Sequence, residues 1–230
     1  MSRIYDQLQT VTPLVGDLFW VLLHTGLRLN EALGLHLGSL QSGQPTERNL
    51  HQMLKRNGIN CHGYIVLEDQ PKTRDIRRKD GHVERVPLKG RKKITPKNNR
   101  VIPVEDARTF NTLVRLFRSQ KELFKERRYG PNIKDYLLFN GLTQAIVTSH
   151  LRKGFEALKL RFKSAHCYRH TFSTHLCGRY NDMFYVKTVL GHGDIKITER
   201  YVHLYEAMQR GLVTNQYLSS YDDFQLIDEA

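Results

Sequence analysis

Residues suited to phosphodiester chemistry are concentrated between His166 and Tyr201. His166 and Arg169 are three positions apart, so on a helix they lie at neighbouring points of one face. An imidazole and a guanidinium placed in this way can donate to two non-bridging oxygens of one phosphate. His192 follows a Leu-Gly pair that is typical of a helix end, where the chain reverses sharply. The spacing therefore favours cations and a tyrosine nucleophile gathered around one phosphate.

Taken one at a time, these residues have ordinary structural explanations. A lone histidine after a helix end is usually structural, and a tyrosine picked from the 11 in this chain usually packs half-buried in a core. The set becomes specific because each member falls inside a longer string. The strings are Thr-Gly-Leu-Arg-x-x-Glu-Ala-Leu around Arg28, His-x-x-Arg-His-Thr-Phe-x-Thr-His-Leu around Arg169, and Leu-Gly-His-x-x-Ile-x-x-Thr-x-x-Tyr-x-His around Tyr201.

In their order and spacing, the three strings resemble the catalytic signature of the tyrosine recombinase (phage integrase) family. The resemblance covers most of the chain, residues 10–205. It implies the tyrosine-recombinase catalytic-domain architecture, which is mainly α with a small antiparallel β-sheet (α+β). It also implies a site-specific DNA recombinase of the integrase or excisionase type. Such an enzyme cuts and rejoins strands of mobile or phage DNA through a 3′-phosphotyrosyl intermediate and a Holliday junction.

The resemblance gives a role to each matched residue. Tyr201 would be the nucleophile that forms the phosphotyrosyl link and releases a 5′-hydroxyl. Arg28 and Arg169 would hold the non-bridging oxygens, where negative charge develops in the transition state. His166 would act as the general base toward the tyrosine or as a proton relay, and His192 would hydrogen-bond the phosphate.

Three further positions are given supporting roles. Glu31 would support the arginine region, and His170 would pack and hydrogen-bond to fix the pocket. The leaving 5′-oxygen needs an acid, which the family supplies from a lysine on a turn between strands. Lys97 fits this role best because the Asn-Asn pair that follows it favours a tight hairpin turn. Three alternatives stay open: Lys89, Lys92 and Lys93.

The charge of the chain points to a polyanionic partner. The formal net charge is +13 and the pI is about 9.7, and so much like charge repels itself unless an anion offsets it. Between Pro71 and Arg100, twelve Lys and Arg stand against three acids; such a run can also be a plain solvated surface. The expected partner is double-stranded DNA, bound in a salt-dependent way. The basic residues expected to contact it are Lys89, Arg91, Lys92, Lys93 and Arg100.

A set of mostly helical elements must position these side chains. Thr12-Pro13 predicts the start of a helix and Gly26 its end, so that Arg28 lies on the turn into a second helix. Residues 39–60 predict a long loop or a short helix. Further helices are predicted at 105–128, 142–160, 166–179 and 182–190. Short strands are predicted at 65–67, 83–88 and 101–104.

These elements predict one catalytic domain over residues 1–205, with its small sheet at about 63–104. Segment 206–230 is interpreted as a C-terminal tail that docks on a neighbouring subunit or packs on its own domain. Members of the family carry a helical core-binding domain before the catalytic one. That N-terminal domain is expected to be absent here, so that the chain is a fragment or a minimal enzyme. Self-association as a dimer or tetramer on DNA is also expected.

Composition argues against several other classes. Three cysteines in 230 residues make no disulfide framework, which suits a cytoplasmic protein that is nucleoid-associated when bound to DNA. No apolar run long enough for a membrane span is present. No metal or cofactor is expected, since two arginines and two histidines supply the positive field and exchanging one phosphodiester for another needs no ATP. Scattered potential ligands lack metal-site spacing: His166, Cys167, His170, His175 and Cys177.

Two alternative functions stay open. A type IB topoisomerase-like enzyme would use the same nucleophile only to swivel and reseal one strand. Such enzymes usually carry lysine where this chain has His166, which favours the recombinase. A catalytically inactive DNA-binding relative would keep the fold alone. The presence of every expected catalytic side chain except a securely placed lysine argues against that loss.

Overall fold

Helices make up most of the structure, a computed structural model that describes residues 2–68, 73–77, 83–87, 99–127 and 136–210. In these residues the helices are α1 (Ser2–Val11), α2 (Pro13–Thr25), α3 (Leu29–Leu33), α4 (Arg48–Arg56), α5 (Ala107–Arg127), α6 (Gln144–Ala157), α7 (Ala165–Arg179), α8 (Met183–Leu190) and α9 (Ile195–Gln209). The strands are β1 (Leu40–Ser42), β2 (Gly63–Leu67), β3 (Thr73–Arg77), β4 (Val83–Pro87) and β5 (Arg100–Val104). The mainly α-helical class predicted from the sequence, with a small antiparallel sheet, is confirmed.

The sheet is antiparallel and has the order β1-β2-β5, with Ile65 at its centre, opposite Leu40 on one side and Ile102 on the other. In β2, buried and partly exposed residues alternate, as expected where one face of a strand covers a core. Strands β3 and β4 pair as a separate antiparallel ribbon. The predicted strands correspond to β2, β4 and β5. Strands β1 and β3 were not predicted, because the first is too short and the second too polar for a recognisable alternation.

Helix α2 is the centre of the core. Pro13 stands at its start, and most of its side chains are buried all round the helix, including Phe19, whose ring meets that of Tyr168 edge-on at 4.9 Å between centroids. A helix that is apolar on every face has to be covered on every face. Its one buried acid, Asp17, is paired with Arg115 on α5 at 2.7 Å. No helix in the described part of the chain combines the length and apolar character needed to cross a membrane.

The C-terminal helices bring the site together. The helices predicted at 105–128, 142–160, 166–179 and 182–190 are present as α5 to α8, each within three residues of its expected ends. Helix α9 was not predicted, because the buried residues it contributes are Thr198 and Tyr201, too few for an apolar repeat. It packs closely on α7: a Cβ at Gly178 would lie 2.2 Å from the ring of Tyr205. The first residues of the predicted tail, 206–209, continue α9, and 211–230 lie outside the described residues.

Candidate active site

Glu31 is shared by two arginines at the start of α3. The backbone N–H of Arg28 donates to Glu31 Oε2 at 2.9 Å, and its guanidinium donates to Oε1 at 2.8 Å. Arg100, from β5, donates to both carboxylate oxygens, at 3.1 and 2.9 Å, and also to the carbonyl of Val189 at 3.0 Å. Burial raises the pKa of Glu31, but the hydrogen bonds and charges of Arg100 and Arg28 outweigh it and lower the pKa to about 2. The carboxylate is therefore ionised and locks both cations in place.

The placement of Arg100 differs from the expected direct contact with DNA. Its side chain is 4% exposed, whereas that of Arg28 is 36% exposed. Pairing of β5 with β2 brings Arg100 against Glu31 and the end of α8, so its guanidinium is directed into the protein. A charge run in a sequence does not reveal which of its members turns inward. The other expected DNA-contacting residues and the expected acid lie outside the described residues: Lys89, Arg91, Lys92, Lys93 and Lys97.

Arg169 is held by the ends of two helices. It is 3% exposed, and its two terminal nitrogens donate to the carbonyls of Gly26, just after α2, and Leu190, the last residue of α8. Helix C-termini carry unpaired carbonyls and a partial negative charge, so both favour a cation. Burial, followed by the charges of Arg28 and Arg100, lowers the pKa of Arg169 to about 10. The side chain therefore keeps its charge at neutral pH.

Gly26 is required at the first of these helix ends for two separate reasons. Its φ of +62° is strained for any side chain, and an added Cβ would lie 2.3 Å from Phe172 Cδ1. Gly58 has nearly the same φ, +65°, but nothing lies within 4 Å of its Cβ position. We expect Gly58→Ala to cost about 1 kcal/mol of unfolding free energy, and Gly26→Ala about 1–3 kcal/mol more. Urea unfolding of both variants measures the difference, and equal losses would contradict the packing argument.

His192 is fixed by a buried threonine. It follows Gly191, which ends α8 in the left-handed conformation at φ +64°, and its Nδ1 lies 3.0 Å from Thr198 Oγ1. The imidazole stacks on the ring of Tyr201 at 5.8 Å between centroids and 13° between planes. Burial, followed by the charges of Arg169, Arg28, Arg100 and His170, lowers the pKa of His192 to about 4. The ring is therefore neutral at pH 7 and can hydrogen-bond a phosphate through its other nitrogen.

The depressed pKa of His192 makes stability depend on pH. Below pH 6.5 the unfolded chain takes up a proton that the folded chain accepts only near pH 4. Stability is therefore complete above pH 6.5 and falls between 6.5 and 4, by at most about 1.4 kcal/mol per pH unit from this group. We expect His192→Asn to lose less stability than wild type between pH 7 and pH 5 in urea titrations. Burial also lowers the pKa of His170, which stays in both proteins. The difference in stability loss between wild type and His192→Asn therefore reports on His192 alone. Equal losses in the two proteins would contradict the assignment.

Tyr201 projects from α9 toward α7. Asp194 caps the start of helix α9, where its side chain accepts from the N–H of Lys196 at 3.0 Å. Tyr201 is 9% exposed, and its hydroxyl lies 2.7 Å from His170 Nδ1. Burial raises the pKa of the phenol, while the charge of Arg169 acts in the opposite direction by favouring the phenolate. The hydroxyl is therefore mostly protonated at neutral pH and already has a hydrogen-bond partner.

That partner differs from the one expected. His166 was expected to serve the tyrosine as base or relay, with His170 in support. The structure instead places His170 against the hydroxyl, and His166, exposed like His170, packs edge-on against the ring of His170, with centroids 4.4 Å apart. The two histidines are four positions apart on α7 and so share one face. His170 is present in the His-x-x-Arg-His string, but spacing alone does not show which imidazole reaches across to another helix.

Five residues predicted from the sequence thus lie in one region, formed by the start of α3, by α7, by the α8–α9 turn and by α9. They are Arg28, His166, Arg169, His192 and Tyr201. Sequence reasoning did not predict the roles of two contributors to this region. Thr198, inside the Leu-Gly-His string, orients His192, and Arg100 buttresses Glu31. Within the described ranges, no three His, Cys, Asp or Glu side chains gather at a distance suited to a metal ion.

Comparison with known proteins shows one related sequence and several similar folds. Over 56 residues, 24% of this chain and 18% of the relative, the chain is 41% identical to a tyrosine recombinase XerD of Bradyrhizobium diazoefficiens. Its fold is similar to the Tn1549 transposon integrase in complex with circular intermediate DNA, with a TM-score of 0.55 and 17% identity over 97% of this chain and 64% of that one. It is also similar to the XerH site-specific recombinase bound to palindromic difH, with a TM-score of 0.51 and 19% identity over 92% of this chain and 50% of that one.

The chain spans less than two thirds of the length of each of these relatives. The model of the phage integrase family matches residues 72–208, more than half of the 230 residues, and this range contains the histidines, Arg169 and the tyrosine of the site. The chain therefore belongs to the phage integrase family.

Proposed function

We propose that this chain is the strand-cutting and strand-rejoining part of a site-specific DNA recombinase that acts without metal or ATP. The observation that carries the proposal is the position of Tyr201. Its hydroxyl is hydrogen-bonded to a histidine, its ring is stacked on His192, and the charge of Arg169 favours its phenolate. A protonated phenol needs a nearby base or a positive field to attack phosphorus, and this site offers both.

The arrangement supports a two-step exchange. Tyr201 attacks the scissile phosphorus, the Oη–P bond forms, and the P–O5′ bond breaks, leaving a 3′-phosphotyrosyl link. Arg28, which is partly exposed, and Arg169, which is held rigidly, would stabilise the charge on the non-bridging oxygens. His192 would donate to the phosphate, and Lys97 would protonate the leaving 5′-oxygen. Attack by a 5′-hydroxyl from another strand then reverses the same step and restores a phosphodiester, so no external energy source is needed.

The partners and setting follow from this chemistry. The net charge of +13 supports double-stranded DNA as the substrate, since binding releases counterions from its phosphates. We further propose self-association on DNA, because exchange between two duplexes requires several copies of a site with one tyrosine each. A cytoplasmic, DNA-associated location suits both proposals. The family match and the likeness to integrases favour recombination over type IB strand swivelling.

Covalent trapping tests the proposed function. The wild-type chain is incubated with a pool of nicked suicide duplexes of randomised sequence, without added metal, and analysed after denaturation. In such duplexes the short fragment carrying the 5′-hydroxyl diffuses away, so the covalent link cannot reverse. We expect a denaturation-resistant adduct on the 3′ side of the break. Absence of any adduct across the pool, while the same duplexes are bound, would overturn the proposed cleavage activity.

A further inference from the structure

His170 is the polar side chain that the family roles leave without a chemical step, yet it touches the reacting atom. The 2.7 Å hydrogen bond between its Nδ1 and the hydroxyl joins α7 to α9 across 31 positions of sequence. With the ring proton on Nε2, Nδ1 accepts and the tyrosine O–H donates. The two rings are tilted by 37° at 5.6 Å between centroids, so His170 meets the tyrosine at its hydroxyl end.

The other two histidines are differently engaged. His192 lies with its plane nearly parallel to the ring of Tyr201, so it covers the face of the phenol, and its Nδ1 is engaged by Thr198. His166 packs edge-on against His170. Among the three imidazoles of the site, the hydrogen bond to the nucleophile is made by His170.

We infer that His170 is the general base of the proposed cleavage, accepting the proton of the Tyr201 hydroxyl as the oxygen attacks phosphorus. This inference rests on the proposed function. In the forward step the O–H bond of Tyr201 breaks, its proton moves to Nδ1 of His170, and the Oη–P bond forms while the P–O5′ bond breaks. In resealing, His170 returns the proton to the tyrosine oxygen as the Oη–P bond breaks, so no other reagent is consumed.

The charges around His170 suit this step. Its neighbours include His166 and Arg169 on α7, Tyr201 on α9, and His192 in the turn before it. Burial, followed by His166 and Arg169, lowers the pKa of His170, so the ring is neutral and ready to accept at pH 7. Arg169 also favours the phenolate, so the same cation assists both sides of the transfer.

His170→Asn separates proton transfer from positioning. An asparagine Oδ1 can take the place of Nδ1 and accept the tyrosine hydrogen bond, but it does not take up a proton near neutral pH. We expect single-turnover adduct formation on the duplex selected by wild type to slow about 10²–10⁴-fold at pH 7, with DNA affinity unchanged. His51→Asn is the matched control: it removes an exposed histidine of α4 that lies in none of the three strings, and it should react like wild type.

The pH profile and the leaving group give readouts that a merely structural role would not move. The wild-type rate should rise with pH through the lowered pKa of His170 and then level off. The rate of His170→Asn should not show this rise. The defect should persist on a duplex with a bridging 5′-sulfur at the scissile position, because a thiolate leaves without an acid and attack is still unassisted. A wild-type rate for His170→Asn, or a defect that disappears on the sulfur duplex, would overturn the inference while leaving the proposed function in place.

A measurement without DNA covers the case in which His170→Asn does not fold. The imidazole nitrogens of His170 are titrated by ¹⁵N NMR in wild type and in Tyr201→Phe. Since a donor to the neutral ring lowers its pKa, removing the tyrosine hydroxyl should raise the pKa of His170. An unchanged titration would show that the contact is absent and would overturn the inference. If wild type forms no adduct on any duplex, the proposed function fails, and the base assignment falls with it whatever the titration shows.

Discussion

Tyr201→Phe is expected to bind DNA as wild type does and to form no covalent adduct with it. The substitution removes one oxygen from a ring that is otherwise kept in place by His192, and it leaves Arg28 and Arg169 untouched. Removing a nucleophile eliminates the reaction path itself, so adduct formation should fall at least about 10⁴-fold. Losing the hydrogen bond to His170 should change the unfolding free energy by only about 1 kcal/mol. Adduct yield on denaturing gels and affinity by filter binding, at one fixed salt concentration, measure the two effects.

Tyr205→Phe is the matched control for that experiment. Tyr205 lies one turn further along α9, with its ring over Gly178, and the substitution keeps this packing. It should therefore form adducts at the wild-type rate. Adducts that persist in Tyr201→Phe would show that another side chain is the nucleophile, and a Tyr205→Phe variant without adducts would point to that residue.

Glu31→Ala is expected to destabilise the fold strongly. It leaves Arg100, whose side chain is 4% exposed, without the carboxylate that accepts two of its hydrogen bonds, whereas the partly exposed Arg28 can turn to water. Breaking a buried ion pair from one side costs about 3–5 kcal/mol, because a buried charge is left uncompensated. Urea unfolding at pH 7 measures the loss. Glu122→Ala, in an exposed pair with Lys125 on α5, should change stability by less than about 0.5 kcal/mol.

A double variant and acid provide independent checks on the same pair. Glu31→Ala combined with Arg100→Met removes the stranded charge, so part of the lost stability should return. Acid should also lower the stability of wild type more than that of Glu31→Ala. Because the folded pKa of Glu31, about 2, lies below its ordinary value of 4.5, stability is complete above pH 4.5 and is lost as the pH falls toward 2. Equal acid sensitivity in wild type and Glu31→Ala, or no recovery in the double variant, would contradict a buried pair.

Much of the helical framework was predictable because its signals are local. Gly26 and Gly191 end α2 and α8 in the left-handed conformation, and Pro13 begins α2, as the sequence indicated. These signals lie within one turn of the feature they determine. The residues that gather in the candidate site could be selected for a different reason: they fall inside long strings whose order and spacing match a known family. Neither kind of signal requires knowledge of which elements touch.

The parts that were missed depend on contacts between distant segments. Arg100 meets Glu31 only because β5 pairs with β2 and brings its first residue beneath the turn that follows α8. The same applies to His170, which was expected to support the pocket and which contacts the tyrosine because α9 approaches α7 closely at Gly178. Helix α9 itself lacked an apolar repeat, since its inward face carries a threonine and a tyrosine that serve the site.

The order of the site residues along the chain affects how the protein is made. Arg28 and Arg169 precede the proposed nucleophile, and Tyr201 arrives only with α9, the last helix of the described chain. Since synthesis proceeds from the N-terminus, a growing chain that has reached α7 carries both arginines before it carries the proposed nucleophile. The docking of Tyr205 on Gly178 completes the site. Chains released before α9 therefore lack the proposed nucleophile and cannot form a covalent link to DNA.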